Sequence, residues 1–261
     1  MDSPSPTHLR QLLAVFAAFV LLAALLSATL AVRGAHQRNL ELAEVLARST
    51  FESVVAARKW NAMHGGVYVP VTERFQPNPY LEDPLRDLTT TDGMRLTKIN
   101  PAYMTRLIAG IDAQGHGVRV HLTSLRPLRP GNAPDPWERQ ALGSFVGRDS
   151  VAQEVTVEAG REVYRYMRPL VTGKPCLTCH AKQGYVEGEI RGGISVSFPY
   201  APFAATTLQT RVSILAAHVA FVLIGWAVVA ILGQRLLSSQ AELEASRHQV
   251  DRLQEFFRDE D

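Results

Sequence analysis

Both cysteines of the 261-residue chain fall in one hexapeptide, Pro175-Cys176-Leu177-Thr178-Cys179-His180. Cys-x-x-Cys-His is the spacing of covalent c-type haem attachment. With Pro175 opening a helix, side chains three and four residues apart leave one face, so both sulfurs and the His180 imidazole reach the same side of a porphyrin. In this reading Cys176 and Cys179 form thioethers to the haem vinyl groups, His180 is the proximal iron ligand, and each chain carries one haem c. Two other chemistries use such cysteines. A thioredoxin-like redox pair is expected beside a βαβ pattern, and half a zinc site needs a second ligand pair, which His116 and His121 supply on paper. Neither explains a histidine directly after Cys179. No cysteine is left for a disulfide, so the domain that holds the motif must stand on its core.

The sixth iron position separates electron transfer, which suits a filled site, from gas binding or peroxidase-like chemistry, which suits a weak or open one. Candidates are His64, Met63, His116, His121 and Met167. His64 leads, because in Lys59-Trp60-Asn61-Ala62-Met63-His64-Gly65-Gly66-Val67-Tyr68 two glycines allow close backbone approach to a flat cofactor and aromatic rings can pack on it. A turn at Gly65-Gly66 with His64 as its cap is the plainer alternative. His116, in Gln114-Gly115-His116-Gly117, belongs to a turn. The alternation Val118-Arg119-Val120-His121-Leu122 puts His121 with Arg119 on a polar strand face, which predicts a surface position. Haem propionates call for cations, and Arg58, Lys59, Arg165 and Arg168 are available.

These residues must be positioned by what surrounds them. Leu12 to Val32 is a run of 21 residues without a charge, about 30 Å as a helix, and Val212 to Gly233 is another such run interrupted only by neutral His218. Both read as membrane spans. The first is longer than a signal-peptide core and lacks a clear small-residue cleavage site, so it is expected to remain as an anchor. Lys and Arg near the span ends number four on each side of the membrane, which leaves orientation open by charge. Haem attachment of this kind takes place outside the bacterial cytoplasmic membrane, which puts the intervening loop in the periplasm. The expected layout is a cytoplasmic N-terminus (1–11), a span (12–32), a stalk helix (33–60), a periplasmic haem domain (61–211), a span (212–233) and a cytoplasmic tail (234–261).

Within the loop, Leu42, Val45, Leu46 and Ser49 at helical spacing extend the first helix to about Trp60. The Pro-rich stretch from Val69 to Pro101 reads as an extended, ordered loop without regular structure. Asn100-Pro101 starts a short helix to about Ala109. Strands are expected at 117–124, 153–157, 163–168 and 190–198 and a helix at 135–145, with Glu158-Ala159-Gly160-Arg161 turning a hairpin. The class is α+β, and a few strands with helices around a cofactor is the layout of a PAS-like or Cache-like domain. In the tail, Leu236, Leu243, Val250 and Phe257 recur every seven residues, the rhythm of a short coiled coil and hence of a homodimer. A plain amphipathic tail on the membrane face is the alternative.

Four stretches in order, Arg58 to Val69, Gly143 to Val151, Tyr164-Arg165-Tyr166-Met167-Arg168-Pro169-Leu170 and Cys176 to His180, resemble the periplasmic c-type haem sensor domains long catalogued as a domain of unknown function. Those domains are found ahead of histidine kinases, diguanylate cyclases and chemotaxis receptors. The resemblance covers roughly Leu40 to Tyr200 and implies a PAS-like fold with one covalent haem that reads redox state or a small ligand. Some members use cysteine as the distal ligand, and here no third cysteine exists. No output domain follows the second span in this sequence.

A formal charge of +2, with 20% charged residues, excludes a nucleic-acid binder that works through a broadly basic surface. Two spans and a heptad tail favour a membrane-anchored redox or small-ligand sensor in the bacterial inner membrane. It would signal through its helices to a separate cytoplasmic protein. A single-haem cytochrome that exchanges electrons with a periplasmic redox carrier is the alternative. An enzyme is not expected, since no second catalytic group stands beside His64.

Overall fold

The computed structural model describes residues 6–115 and 117–258; residues 1–5, His116 and residues 259–261 lie outside them. The chain divides into two compact units, one of residues 1–38 with 206–261 and one of residues 39–205.

In the first unit, the opening part of α1 (Pro6–Met63) and most of α5 (Ala201–Arg258) are helical. Both helices are long and apolar enough to cross a membrane. They run antiparallel, because Ser27 meets His218, Val20 lies near Gly225 and Leu13 near Gly233. Small side chains allow the approach, and Ala24 and Ala28 are buried while Leu22, Leu26 and Phe221 point outward. His218 Nδ1 lies 2.8 Å from the Ile214 carbonyl and its Nε2 lies 3.1 Å from the Ser27 hydroxyl.

The second unit is α+β. Its main sheet has the order β4-β7-β6-β5 and is antiparallel throughout: β4 is Arg119–Thr123, β5 Ala152–Glu158, β6 Arg161–Val171 and β7 Ile190–Pro199. All four strands fall where the alternation predicts them. The β5–β6 hairpin closes through Ala159 and Gly160, both at positive φ (49° and 76°), the two-residue turn whose twist suits paired strands. One face of the sheet is apolar. Tyr164 and Tyr166 of β6, Ile194, Val196 and Phe198 of β7 and Val120 of β4 pack against Ala43, Ala47, Phe51 and Val54 of α1. Those four recur at helical spacing, so the helix expected to be a stalk is part of the core from residue 39 onward.

The opposite face carries Arg119, His121, Arg165, Ser195 and Ser197, as period two requires, and α3 (Pro136–Ser144) covers it. Asp135 caps α3 in a capping box with Glu138, and Ala141 and Leu142 bury Met167. His121 stands on the polar face as expected, with 39% of its side chain exposed, and Glu138 comes down onto it.

The stretch expected to be an irregular loop is also corrected. Strands β1 (Val67–Pro70), β2 (Asp87–Thr89) and β3 (Arg95–Ile99) form an antiparallel sheet in the order β1-β3-β2. At three to five residues each, they are too short for alternation to stand out among the prolines. Helix α2 (Pro101–Gly115) follows, longer than expected, with Asn100 accepting from the Tyr103 amide at its start.

Candidate functional site

The hexapeptide forms helix α4 (Lys174–His180), with proline in its first turn and Gly173 before it. Cys176 is half-buried and Cys179 exposed; neither is in a disulfide. His180 Nδ1 lies 2.6 Å from Gln183 Oε1. The amide oxygen only accepts, so Nδ1 carries the proton and Nε2 keeps its lone pair for an electrophile. Gln183 is itself held: its Nε2 donates to the Arg126 carbonyl at 3.2 Å, and Arg126 donates back to the Gln183 carbonyl at 3.3 Å. The Tyr185 ring stands edge-on to His180 at 6.2 Å, with the Arg126 guanidinium 4.1 Å above that ring. Burial lowers the His180 pKa below its ordinary value, and Arg191 acts in the same sense, so the ring is neutral at pH 7.

A cavity of about 750 Å³ opens against Cys176, Cys179 and His180. Its walls are mostly apolar: Phe51, Val55, Ala62 and Met63 from α1, Pro101 and Ala102 from α2, and Pro169, Leu170 and Val171 from β6. Cations stand around it in Arg58, Lys59, Arg148, Arg168 and Arg191. Two thiols, an imidazole with a free nitrogen, a broad apolar space and cations for carboxylates make a donor set that fits a covalently held haem.

The other sequence candidates are distributed differently. Met63 is on the cavity wall, whereas the neighbouring His64 is exposed and does not line it. His64 Nδ1 donates to the Trp60 carbonyl at 2.8 Å and its ring lies on Trp60 at 4.7 Å. Gly65 and Gly66 end α1, with amides donating to the Ala62 and Asn61 carbonyls and φ of 70° and 101°; a side chain at Gly66 would meet Lys98. Helix termination thus accounts for both glycines. Met167 is fully buried on the opposite face of the sheet. His121 offers no lone pair, since Nδ1 faces Glu138 at 2.9 Å and Nε2 faces the Gly131 carbonyl at 3.1 Å. Among the propionate candidates, Arg58, Lys59 and Arg168 reach the cavity. Arg165 does not. It is three positions before Arg168, an odd offset in a strand, so it points to the other face, onto Asp135 at 2.6 Å and the Trp137 ring at 4.3 Å. Among the described residues no three His, Cys, Asp or Glu side chains gather as metal ligands, and His116 lies outside those residues.

A family model, the Tll0287-like domain (Tll0287), matches residues 31–199, more than half of the chain. The chain belongs to the Tll0287-like family. The matched Tll0287-like region contains α4, the 750 Å³ cavity and both faces of the main sheet. No curated protein and no solved structure matches the chain. Sequence reasoning passed over two residues of the Tll0287-like domain that matter to the site, Gln183 and Arg191. Gln183 had a legible signal, three residues beyond His180 at helical reach; Arg191 had none, because it comes from β7.

Proposed function

We propose that this Tll0287-like protein is a membrane-anchored c-type haem sensor, with Cys176 and Cys179 as the covalent anchors and His180 as the proximal ligand. The observation that carries the reading is the common placement of these three residues on one cavity, with His180 Nδ1 tied to Gln183 and Nε2 free. When bound, the haem supplies an iron that changes between ferric and ferrous and accepts an axial ligand. The chain's own residues orient and enclose. Gln183 fixes the tautomer and direction of His180, Phe51, Val55 and Leu170 exclude water, and Lys59 and Arg168 offer positive charge to carboxylates. The two membrane-length helices, with Leu236, Leu243 and Val250 exposed along α5, support a two-pass protein. Its haem domain is periplasmic and its tail pairs as a coiled coil with a second copy.

The test is expression of the full chain with a c-type haem maturation system, followed by ferric and ferrous spectra with and without carbon monoxide. Covalent haem is expected, and a chain that matures without it overturns the reading. For the sixth position, His64→Ala is expected to leave the ferric spectrum unchanged, because His64 does not line the cavity. A low-spin to high-spin change in that variant would instead make His64 the ligand, and the same change in Met63→Leu would assign Met63. Redox-dependent cross-linking of cysteines introduced in the tail separates a sensor, which changes on reduction, from a carrier, which does not.

Gln183 has a separate signature. Its oxygen makes the His180 ring more basic, which favours the ferric state. Gln183→Leu is therefore expected to raise the reduction potential, shifting the ferrous-to-ferric ratio at fixed potential by about tenfold, and Gln183→Glu to lower it. Redox titration of the two variants checks both signs.

A further inference from the structure

A second, smaller cavity of about 330 Å³ also borders His180 and is bounded by Thr178, Cys179 and Gln183 but not by Cys176. Arg58, Arg106, Arg126, Arg129 and Arg191 all line it, with Lys182. Among the described residues none of the five arginines lies within ion-pair distance of a carboxylate. Glu82, the one acid on the wall, pairs with Lys182 at 3.1 Å. The bonds that the arginines make go to neutral oxygens. Arg58 donates to the Pro101 carbonyl at 3.0 Å and Thr105 Oγ1 at 2.7 Å, Arg106 to Asn78 Oδ1 at 3.4 Å and Arg129 to Asn132 Oδ1 at 3.4 Å.

The cations also repel one another. Arg58 is 8% exposed, and burial together with Arg191 lowers its pKa to about 9; burial and Arg129 lower that of Arg106. A buried cation without a counter-charge is costly, as at Arg58 of α1, and half-buried Arg106 of α2, Arg129 of the loop after β4 and Arg191 of β7 face the same space. Arg58 and Arg191 also border the larger cavity, whereas Arg106 and Arg129 border only the smaller one. Tyr80, Leu81 and Leu128 give the space between them apolar walls.

We infer that the smaller cavity binds a free, small organic dicarboxylate, whose two carboxylates are taken by the two arginine pairs and whose short carbon chain meets the apolar wall. Guanidinium groups match planar carboxylates in two-point contact, which favours this class over a compact inorganic anion. Because the site shares its wall with His180, occupancy reaches the proximal side of the larger cavity directly. The inference deepens the sensor reading by naming a ligand, but it does not require haem to be present.

Titration of the purified full-length, haem-loaded chain with succinate by calorimetry tests it, with succinamide as the uncharged control. Saturable succinate binding is expected, with none for succinamide. Arg106→Gln and Arg129→Gln should each weaken it about tenfold or more while leaving haem content and the ferric spectrum unchanged, and Arg106→Lys should lose less. Absence of saturable binding overturns the inference, as does binding that both substitutions leave intact. An altered haem spectrum in Arg106→Gln and Arg129→Gln, without succinate binding, would give the arginines to the haem propionates and overturn it too. A chain that takes up no haem yet binds succinate would keep this site and overturn the haem reading alone.

Discussion

Replacing Cys176 and Cys179 together by alanine is expected to abolish covalent haem, so that haem-dependent staining of the denatured chain falls to background while the chain still accumulates. The two sulfurs are three residues apart on a short helix and both border the 750 Å³ cavity, so no other group among the described residues can replace them. Single replacements leave one thioether and should retain part of the stain. His180→Ala is a sharper comparison. It keeps both sulfurs and removes the nitrogen that Gln183 presents, so the stain should survive while the spectrum becomes that of iron without its proximal ligand. Full staining of the double variant would withdraw the two cysteines as the covalent anchors.

Glu138→Gln is expected to lower the stability of the domain by about 3 kcal/mol, which corresponds to a fall in Tm of roughly 6–12 °C for a unit of this size. The Glu138 side chain is 2% exposed and joins four elements. It accepts from the Asp135 amide at 3.1 Å at the start of α3, from His121 of β4 at 2.9 Å and from Ser195 of β7, with Arg165 of β6 at 3.9 Å. Loss of the charge leaves His121 and Arg165 facing an amide.

The pH dependence carries a sign of its own. The hydrogen bond to Glu138 raises the His121 pKa above its ordinary 6.5, against burial. That contribution to stability is complete below about 6.5 and is lost as pH rises through the folded value. Burial alone would raise the Glu138 pKa, but the bonds from His121 and Ser195 outweigh it and hold it below 4.5. Its contribution is present above 4.5 and is lost as pH falls through the depressed value. The pair therefore stabilises most between about 4.5 and 6.5, and Tm of the wild type should decline on the alkaline side of that window more than Tm of Glu138→Gln. Parallel curves for the two proteins would mean that the pair does not titrate as a unit.

Several features were legible in the chain because they depend only on neighbours in sequence. The cysteines and histidine share a face because one helical turn puts them there, whatever packs around them. The two apolar runs form membrane-length helices, since uninterrupted Leu, Ala and Val satisfy their own backbone. The β5–β6 hairpin followed from alternating strands on either side of Ala159-Gly160.

Tertiary structure decided which side chains line the cavity. His121 and His64 are equal as residue types, and both have prior engagements. One is held by Glu138, 17 residues away, and the other is turned outward by the end of α1. Arg165 and Arg168 differ only in the sheet face to which the pleat assigns them. Arg58, Arg106, Arg129 and Arg191 are scattered over three elements and a loop, and only the folding of α1 and α2 against the sheet brings their charges to one cavity. Sequence pattern reports the period of a single element, whereas the partner of a buried charge is set by contacts between residues far apart along the chain.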